Sequence, residues 1–303
     1  MKFREITKKT NIDFIGMRNK MFILSAVLVL TGLFGFVMVA LGKANLSVDF
    51  TGGTELQLRF DQPTSIGALR SALTSGGIED VQIQEVAGKN DFFLKTKLMN
   101  TGTEKEKVQD KISAIISRAM PGKGFQVLGS NMVGSSVGKT LKQHAIIAIA
   151  LSLLGIIIYI AWRFNFVFGV AATIATFHDV LALLGIFFVL HREMNILFIT
   201  ALLTIAGYSL TDTVVVFDRI RENMAKMKSK TDFGKVINGS INEVLSRTLI
   251  TSLTVLLVIA ALLVLGGHVL LDFSFALFIG VMVGTYSSIF VASPLIYLWR
   301  TRS

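Results

Sequence analysis

A polar stretch inside an apolar segment sets the fold of this chain: Gly207-Tyr-Ser-Leu-Thr-Asp-Thr-Val-Val-Val-Phe-Asp-Arg-Ile-Arg-Glu-Asn223. It begins among residues apolar enough to cross a lipid bilayer, and it ends in a run of charges. Asp212 lies in the part that should still be in lipid, where a carboxylate costs at least a few kcal/mol. Acids are rare at that depth and usually serve a purpose, so Asp212 is a candidate functional residue.

The composition is that of a polytopic membrane protein. The chain has 303 residues, of which 52% are hydrophobic, and it contains three prolines and no cysteine. Apolar runs of about twenty residues recur, and each is long enough to cross a bilayer as a helix. The lack of cysteine excludes disulfides and thiol chemistry. The net charge of +10 is concentrated beside the spans, as a topology signal would be, which argues against nucleic acid as a partner.

The hydropathy pattern predicts six transmembrane helices. Residues 1–20 form a basic cytoplasmic segment, and 21–41 form the first span, an uncleaved anchor because its apolar run exceeds that of a signal peptide. Residues 143–299 hold five more spans around a cytoplasmic loop at 218–247, and 300–303 are the cytoplasmic C-terminus. The later spans are expected at His144–Trp162, Phe166–Leu190, Asn195–Phe217, Thr248–Gly266 and Leu271–Trp299. Pro294 could break the last of them.

Residues 42–142 differ in kind, because they mix charges of both signs and contain no span. Alternating apolar residues predict strands at Thr54–Phe60, Val81–Val86, Phe92–Leu98 and Phe125–Leu128. Helical spacing predicts one helix over Pro63–Ser75 and a second that opens at the capping box Thr103-x-x-Glu106. The order βαββαβ is the ferredoxin-like pattern of an α+β domain. This domain carries no catalytic constellation, so we expect neither an enzyme nor a cofactor.

Two further segments have simple interpretations. Gly134-Ser-Ser-Val-Gly-Lys-Thr140 is one residue short of a phosphate-binding loop, so we interpret it as a flexible linker into the second span. Within the cytoplasmic loop, apolar residues at helical spacing from Phe233 to Leu245 predict an amphipathic helix capped by Thr231 or Asp232. That helix should lie along the membrane surface or pack under the helix bundle.

The content of basic residues alternates from one loop to the next along the chain. The 218–247 segment is rich in lysine and arginine, whereas the loops on the opposite side hold few of them. By the positive-inside rule both termini and this loop are cytoplasmic, and residues 42–142 are extracytoplasmic.

Three groups of titratable or charged side chains lie within or beside the predicted spans. Asp212 and the adjacent pair His178-Asp179 are deep in theirs, and Arg247 stands at the cytoplasmic start of the fifth span. Burial disfavours the charged form of a carboxylate, and a nearby arginine favours it. A carboxylate between these influences suits proton translocation. The alternative is a static hydrogen bond or ion pair that holds helices together, and for His178-Asp179 the two interpretations are equally good.

A helical projection of the fourth predicted span, Asn195–Phe217, separates two faces. The polar arc holds Thr204, Tyr208, Ser209, Thr211 and Asp212, and it is expected to face the bundle interior. The apolar arc is expected to face lipid, and it holds Leu203, Ala206, Leu210, Val214 and Phe217. Gly207 should allow a neighbouring helix to approach closely.

These motifs resemble those of the SecD/SecF family of bacterial protein-export subunits, which belongs to the resistance-nodulation-division superfamily. The resemblance covers essentially the whole chain. Its markers, in chain order, are Val48-Asp-Phe-Thr-Gly-Gly-Thr54, His178-Asp179, the Gly207–Asn223 stretch, and Ser246-Arg-Thr-Leu-Ile-Thr-Ser252. In that superfamily six spans form one half of a pseudo-twofold unit.

The resemblance implies an accessory subunit of the Sec translocase in the bacterial inner membrane. Such a subunit works with SecD beside the SecYEG channel and uses the proton-motive force in late steps of polypeptide translocation; YajC and YidC are further expected partners. Some members use sodium instead. The acid that matches Asp212 takes part in proton passage, with the arginine that matches Arg247 as its partner. Depth and projection add Tyr208, His178 and Asp179 to the ion-coupling set.

Two other functions fit the same residues. A superfamily exporter of small molecules or lipids would share the intramembrane acid, although such exporters normally have two six-span halves. A passive assembly factor would use Asp212 only as a structural contact.

Overall fold

The computed structural model describes residues 10–79, 81–85, 90–97, 105–227 and 232–302. The chain forms two compact units, one of which is Leu46–Ile146, while the chain before and after it forms the other. The predicted capping box at Thr103–Glu106 and the alternative cap at Thr231 lie outside the residues and side chains described.

The elements follow one another in a simple order. In chain order they are α1 (Arg18–Ala40), α2 (Val48–Thr51), β1 (Gly53–Phe60), α3 (Ile66–Ser75), β2 (Val81–Glu85), β3 (Asp91–Thr96), α4 (Lys105–Ala119), β4 (Phe125–Val133), α5 (Ser135–Arg163), α6 (Phe166–Val189), α7 (Ile196–Ala225), α8 (Phe233–Leu265), α9 (Gly267–Ser287), a π-helical turn (Ser288–Ala292) and α10 (Ser293–Arg302). Six helical segments are long and apolar enough to cross a membrane, namely α1, α5, α6, α7, α8 and the run from α9 to α10. The predicted six-helix membrane fold is confirmed.

The Leu46–Ile146 unit contains the predicted ferredoxin-like fold. Its antiparallel sheet has the strand order β2-β3-β1-β4. A βαββαβ chain adopts this order when both helices pack on the same face of the sheet. Leu56 and Leu94 pair across β1 and β3, and their side chains are buried with Leu69 of α3 and Ile112 of α4. The Ser65 hydroxyl caps α3 by accepting the Ala68 N–H at 3.2 Å.

Helix α8 differs from the prediction. The amphipathic segment and the fifth span are one continuous helix, Phe233–Leu265, because no proline or glycine interrupts the chain between Gly239 and Gly266. Its apolar residues Ile237 and Ile241 are buried in the bundle core, so the segment packs under the bundle as one of the two predicted options. The Asp232 carboxylate caps the helix by accepting the Gly234 N–H at 2.9 Å.

Two other predictions need correction. Ser135 to Thr140 is not a flexible linker but the first turns of α5, which follow β4 directly. Pro294 does not break the last helix, because the π-helical turn Ser288–Ala292 precedes it. A wider turn gives room for the proline ring, which cannot donate to the ladder. The Ser293 hydroxyl donates to the Ser288 carbonyl at 2.9 Å and so satisfies one carbonyl of the altered turn.

Small residues bring α1 and α6 into close contact. A Cβ atom on Gly185 of α6 would lie 2.6 Å from the Gly32 nitrogen of α1, so both helices need glycine where they cross. The segment before α1 is also fixed, because the Asn238 and Asn242 side chains of α8 accept the Ile15 and Ile12 N–H groups at 3.0 Å.

Candidate functional site

Asp212 lies on α7, the helix that packs against α6, α8 and α9. The Asn195 side chain caps the start of α7 by accepting the Phe198 N–H at 2.9 Å. From there the helix runs unbroken to Ala225, which places Asp212 about 24 Å along its axis at 1.5 Å per residue. Its side chain is only 7% exposed, so the carboxylate is held within the bundle, as predicted.

A cavity of about 310 Å³ between α7 and α8 brings three predicted site residues together, namely Tyr208, Asp212 and Arg247. The remaining lining is mostly threonine and valine: Thr211, Val215, Thr248, Thr251, Thr254 and Val255. The Tyr208 and Thr248 hydroxyls are buried with no hydrogen-bond partner among the described residues. The cavity thus combines one carboxylate, one guanidinium and hydroxyl groups with free hydrogen-bonding capacity.

Two hydroxyl groups that the sequence did not single out reach the Asp212 carboxylate. Ser252 Oγ of α8 and Thr285 Oγ1 of α9 lie 3.4 and 3.5 Å from the same oxygen, Asp212 Oδ2. They are also 2.7 Å from each other. Ser252 ends the Ser246–Ser252 marker, and Thr285 begins a run of four hydroxyl residues that follows the apolar segment Phe275–Gly284. Such a run in a membrane span is the signal that could have found Thr285.

His178 and Asp179 form a separate, fully enclosed network. Asp179 is 0% exposed, and its Oδ1 lies 2.9 Å from His178 Nδ1. The hydroxyls of Ser209 on α7 and Ser287 on α9 both donate to its Oδ2, the latter at 2.8 Å. Neither His178 nor Asp179 lines the cavity that holds Asp212. The network joins α6, α7 and α9.

Helix α9 supplies hydroxyls to both carboxylates from within one turn. Thr285 reaches Asp212, and Ser287 reaches Asp179. Between them the Tyr286 hydroxyl donates to the Met21 carbonyl of α1 at 2.8 Å. Ser288 Oγ lies 2.9 Å from Thr213 Oγ1 of α7. All four residues immediately precede or begin the π-helical turn.

The predicted faces of α7 are partly wrong. Asp212 and Ser209 are buried, as expected, but Thr204 and Thr211 are exposed. Three residues assigned to lipid are buried instead, namely Ala206, Leu210 and Phe217. A two-faced projection fails because α6, α8 and α9 enclose α7 from several sides, which leaves only a narrow strip exposed.

The close approach predicted at Gly207 is also wrong. A Cβ atom on Gly207 would meet no neighbour within 4 Å, whereas one on Gly284 of α9 would lie 2.8 Å from Ser209 Cβ. The glycines that permit tight packing on α7 are therefore on the neighbouring helix, where Gly280 faces Ile205 and Gly284 faces Ser209.

Opposing influences act on the ionisation of the carboxylate in this cavity. Within the described ranges, no cluster of three or more histidine, aspartate or glutamate side chains could hold a metal ion. Hydroxyl donors near a carboxylate favour its charged form, and burial favours its neutral form. Asp212 is the ionisable group on which these opposing influences meet in a cavity.

Comparisons with known proteins cover nearly all of the chain. The family described as protein export membrane protein SecD/SecF, C-terminal, matches residues 114–302, and the SecD/SecF GG motif matches residues 43–64. The protein translocase subunit SecF of Thermodesulfovibrio yellowstonii is 48% identical over 97% of this chain and 96% of its own length. The SecF subunit of Calditerrivibrio nitroreducens is 38% identical over 99% of this chain and 98% of its own.

A solved structure has the same fold. The crystal structure of SecDF, a translocon-associated membrane protein from Thermus thermophilus, matches with a TM-score of 0.83 and 36% identity. The match covers 97% of this chain and 39% of the SecDF chain. A structure of SecDF in a super-membrane-facing form matches with a TM-score of 0.68. Together the relatives indicate a multi-pass membrane protein with a role in protein export. The chain belongs to the SecD/SecF family of protein export membrane proteins.

Proposed function

We propose that this protein is an accessory subunit of the Sec translocase that uses the proton-motive force, together with SecD, to promote late steps of polypeptide translocation. One observation carries the proposal: Asp212, a buried carboxylate, shares a cavity with Arg247 on the neighbouring helix. Protonation of Asp212 would remove the negative charge that faces the guanidinium. In a medium of low dielectric constant that attraction is strong, so its loss would change how α7 and α8 pack.

The other predicted residues take secondary positions in this mechanism. Tyr208 lines the cavity and has a buried hydroxyl without a partner among the described residues, so it is a further group on the proton pathway. His178 and Asp179 are reached from α7 through Ser209. We assign this enclosed pair, which does not line the cavity, to the same coupling system.

SecD is the proposed direct partner. The relative from Thermus thermophilus is a SecDF chain, and the present chain matches 39% of it. We propose that a SecD partner supplies the part of the SecDF fold that the present chain does not match. The exposed strip of α7 that contains Thr204, Gly207 and Thr211 supports this, because small residues of this kind are enriched where membrane helices contact one another. We further propose SecYEG as the channel, with YajC and YidC as additional partners.

The proposed location is the bacterial cytoplasmic membrane. The excess of lysine and arginine at residues 1–20, 218–247 and 300–303 supports cytoplasmic termini and a cytoplasmic loop. The α+β domain, residues 42–142, is then extracytoplasmic, where it would meet polypeptide that leaves the channel.

Export kinetics in cells test the proposal. Asp212→Asn should slow the export of a secreted reporter while the subunit remains at its normal level and still associates with SecD. A protonophore should slow export in wild-type cells and add nothing in the variant. Asp272→Asn is the matched control, because that carboxylate pairs with Arg192 at 2.9 Å and does not line the cavity.

Other outcomes favour the alternatives. Normal export, stability and SecD association in Asp212→Asn would make the carboxylate a structural contact only. If deletion of the protein raises sensitivity to small toxic compounds and leaves secretion kinetics intact, a small-molecule exporter is favoured.

A further inference from the structure

We propose that the hydroxyl pair Ser252–Thr285 is a positioning element that converts the charge of Asp212 into a change in the packing of α8 against α9. The inference rests on the proposed function, because it takes Asp212 as the group that gains and loses a proton. It assigns a role to two residues that lie outside the predicted ion-coupling set.

The geometry places both hydroxyls on one carboxylate oxygen. Ser252 Oγ and Thr285 Oγ1 lie 3.4 and 3.5 Å from Asp212 Oδ2 and 2.7 Å from each other. The three groups come from three different helices, α8, α9 and α7. Ser252 is buried. The bond between the two hydroxyls therefore links α8 to α9 directly beside the carboxylate.

The number of available protons makes the pair sensitive to charge. Each hydroxyl has one proton to donate, and one of the two is used in the bond between Ser252 and Thr285. When Asp212 is charged, the other proton points to Oδ2, and the chain of donors ends on the anion. When Asp212 is protonated on Oδ2, its own O–H donates into the pair, and the bond between the two hydroxyls reverses. When the proton lies on Oδ1, Oδ2 is a neutral carbonyl oxygen that accepts the same hydrogen bond more weakly.

This reversal changes the strength of the link. Hydrogen bonds to an ionised acceptor are roughly twice as strong as neutral ones. Reversal also leaves the last hydroxyl of the pair to find a different acceptor, because a protonated Oδ2 donates to the pair instead of accepting from it. The α8–α9 contact at this point is therefore tight in the charged state and loosened in the neutral state.

The position of Thr285 on α9 directs the effect into the π-helical turn. The next two residues are fixed, Tyr286 to the Met21 carbonyl and Ser287 to Asp179. The turn itself begins at Ser288. Turns of this type commonly occur at functional sites and have a hydrogen-bond register that differs from the flanking α-helix. A change in the hydrogen bonds of Thr285 thus acts next to two residues with fixed contacts, Tyr286 and Ser287. Directly after them comes the π-helical turn, whose hydrogen-bond register can change.

The charged and titratable groups that face Asp212 are few. Arg247 of α8 and Tyr208 of α7 share its cavity, while among the described residues α9 presents hydroxyls to it. If substitution of Thr285 changes the pH dependence of translocation, the change must therefore arise from the titration of Asp212 and its interactions with Arg247 and Tyr208.

Isosteric substitution of Thr285 gives the test. Thr285→Val removes the hydroxyl and keeps the shape, and Thr285→Ser restores the hydroxyl. The matched control is Thr213→Val, whose buried hydroxyl contacts Ser288 at 2.9 Å and no carboxylate. Each variant is reconstituted with its SecD partner and the channel in vesicles. Gradient-driven translocation is then measured against pH, and the thermal stability of each complex is recorded.

The expected result is a displaced pH profile. Thr285→Val should move it upward by less than about one pH unit, because Ser252 can still donate to the charged carboxylate but loses the neighbouring hydroxyl that polarises it. Thr285→Ser should return the profile to that of the wild type, and Thr213→Val should not move it. Ser252→Ala should move the profile in the same direction, which keeps the inference testable if Thr285→Val does not fold.

Two results separate failure of this inference from failure of the proposed function. A wild-type profile in both Thr285→Val and Ser252→Ala overturns the inference, even where stability falls as it does in Thr213→Val. The proposed function survives that result if Asp212→Asn abolishes the gradient dependence. If Asp212→Asn keeps the gradient dependence, the proposed function fails and the inference fails with it.

Discussion

Asp179 and Asp212 are both buried carboxylates that accept hydrogen bonds from hydroxyls on α9. They differ in whether they border a cavity and in how many close hydrogen-bond donors they have. Asp179 is completely enclosed and has three donors at normal or short distance, His178, Ser209 and Ser287. Asp212 borders a cavity and has two long contacts, at 3.4 and 3.5 Å. This difference favours Asp212 as the acid that exchanges a proton, with Asp179 holding the helices of the coupling system together.

This difference predicts distinct effects of substitution. Asp179→Leu should lower the stability of the subunit, because it leaves Ser209, Ser287 and His178 without their acceptor. Each lost interhelical hydrogen bond costs roughly 0.6–2 kcal/mol in a membrane protein. Thermal unfolding in detergent measures the effect. Asp212→Leu is the comparison, and it should cost less, because its two contacts are long. Equal losses in the two variants would contradict the difference in close hydrogen-bond donors.

Arg247 should act through its charge. Arg247→Gln removes the positive group that shares the cavity with Asp212, so gradient-dependent export should fall as far as in Asp212→Asn. Arg247→Lys keeps a charge but loses the planar guanidinium, and it should retain part of the activity. Export of a reporter with and without a protonophore gives the measurement. Full activity in Arg247→Gln would show that Asp212 works without this counter-charge.

The crossing of α1 and α6 should tolerate no side chain at Gly185. Gly185→Val would place its Cβ atom 2.6 Å from the Gly32 nitrogen, and backbone on both sides leaves nothing flexible to move. We expect a loss of at least about 2 kcal/mol, as for overpacked cores. Gly155→Val of α5 is the matched control, because its Cβ atom would meet no neighbour within 4 Å. Similar thermal stability of the two variants would refute the close crossing.

The sequence predicts the fold well where periodicity is strong. The βαββαβ order and the six spans follow from strand alternation and apolar length, and both are confirmed. The continuity of α8 was missed, because its pattern changes from amphipathic to apolar along the helix. Such a change resembles the boundary between a surface helix and a membrane span, although no helix-breaking residue marks one. Pro294 was over-interpreted, since a π-helical turn accommodates it without a break.

The candidate site was predictable only in part. The cost of burying a carboxylate identified Asp212, and depth in the membrane placed Arg247 near it. The two faces of α7 were not predictable from one helix, because they depend on how many neighbours enclose it. Ser252 and Thr285 were missed for a similar reason: a hydroxyl in a membrane helix usually bonds to its own backbone, and only the packing of three helices brings these two to Asp212.

The central claim is that Asp212 couples an ion gradient to polypeptide translocation. The most direct measurement reconstitutes the wild type and Asp212→Asn with SecD and the channel in vesicles, and imposes a proton gradient and a sodium gradient separately. The proton gradient should accelerate translocation by the wild type, the sodium gradient should not, and Asp212→Asn should respond to neither. Acceleration of the Asp212→Asn variant by the proton gradient to the same extent as the wild type would contradict the central claim.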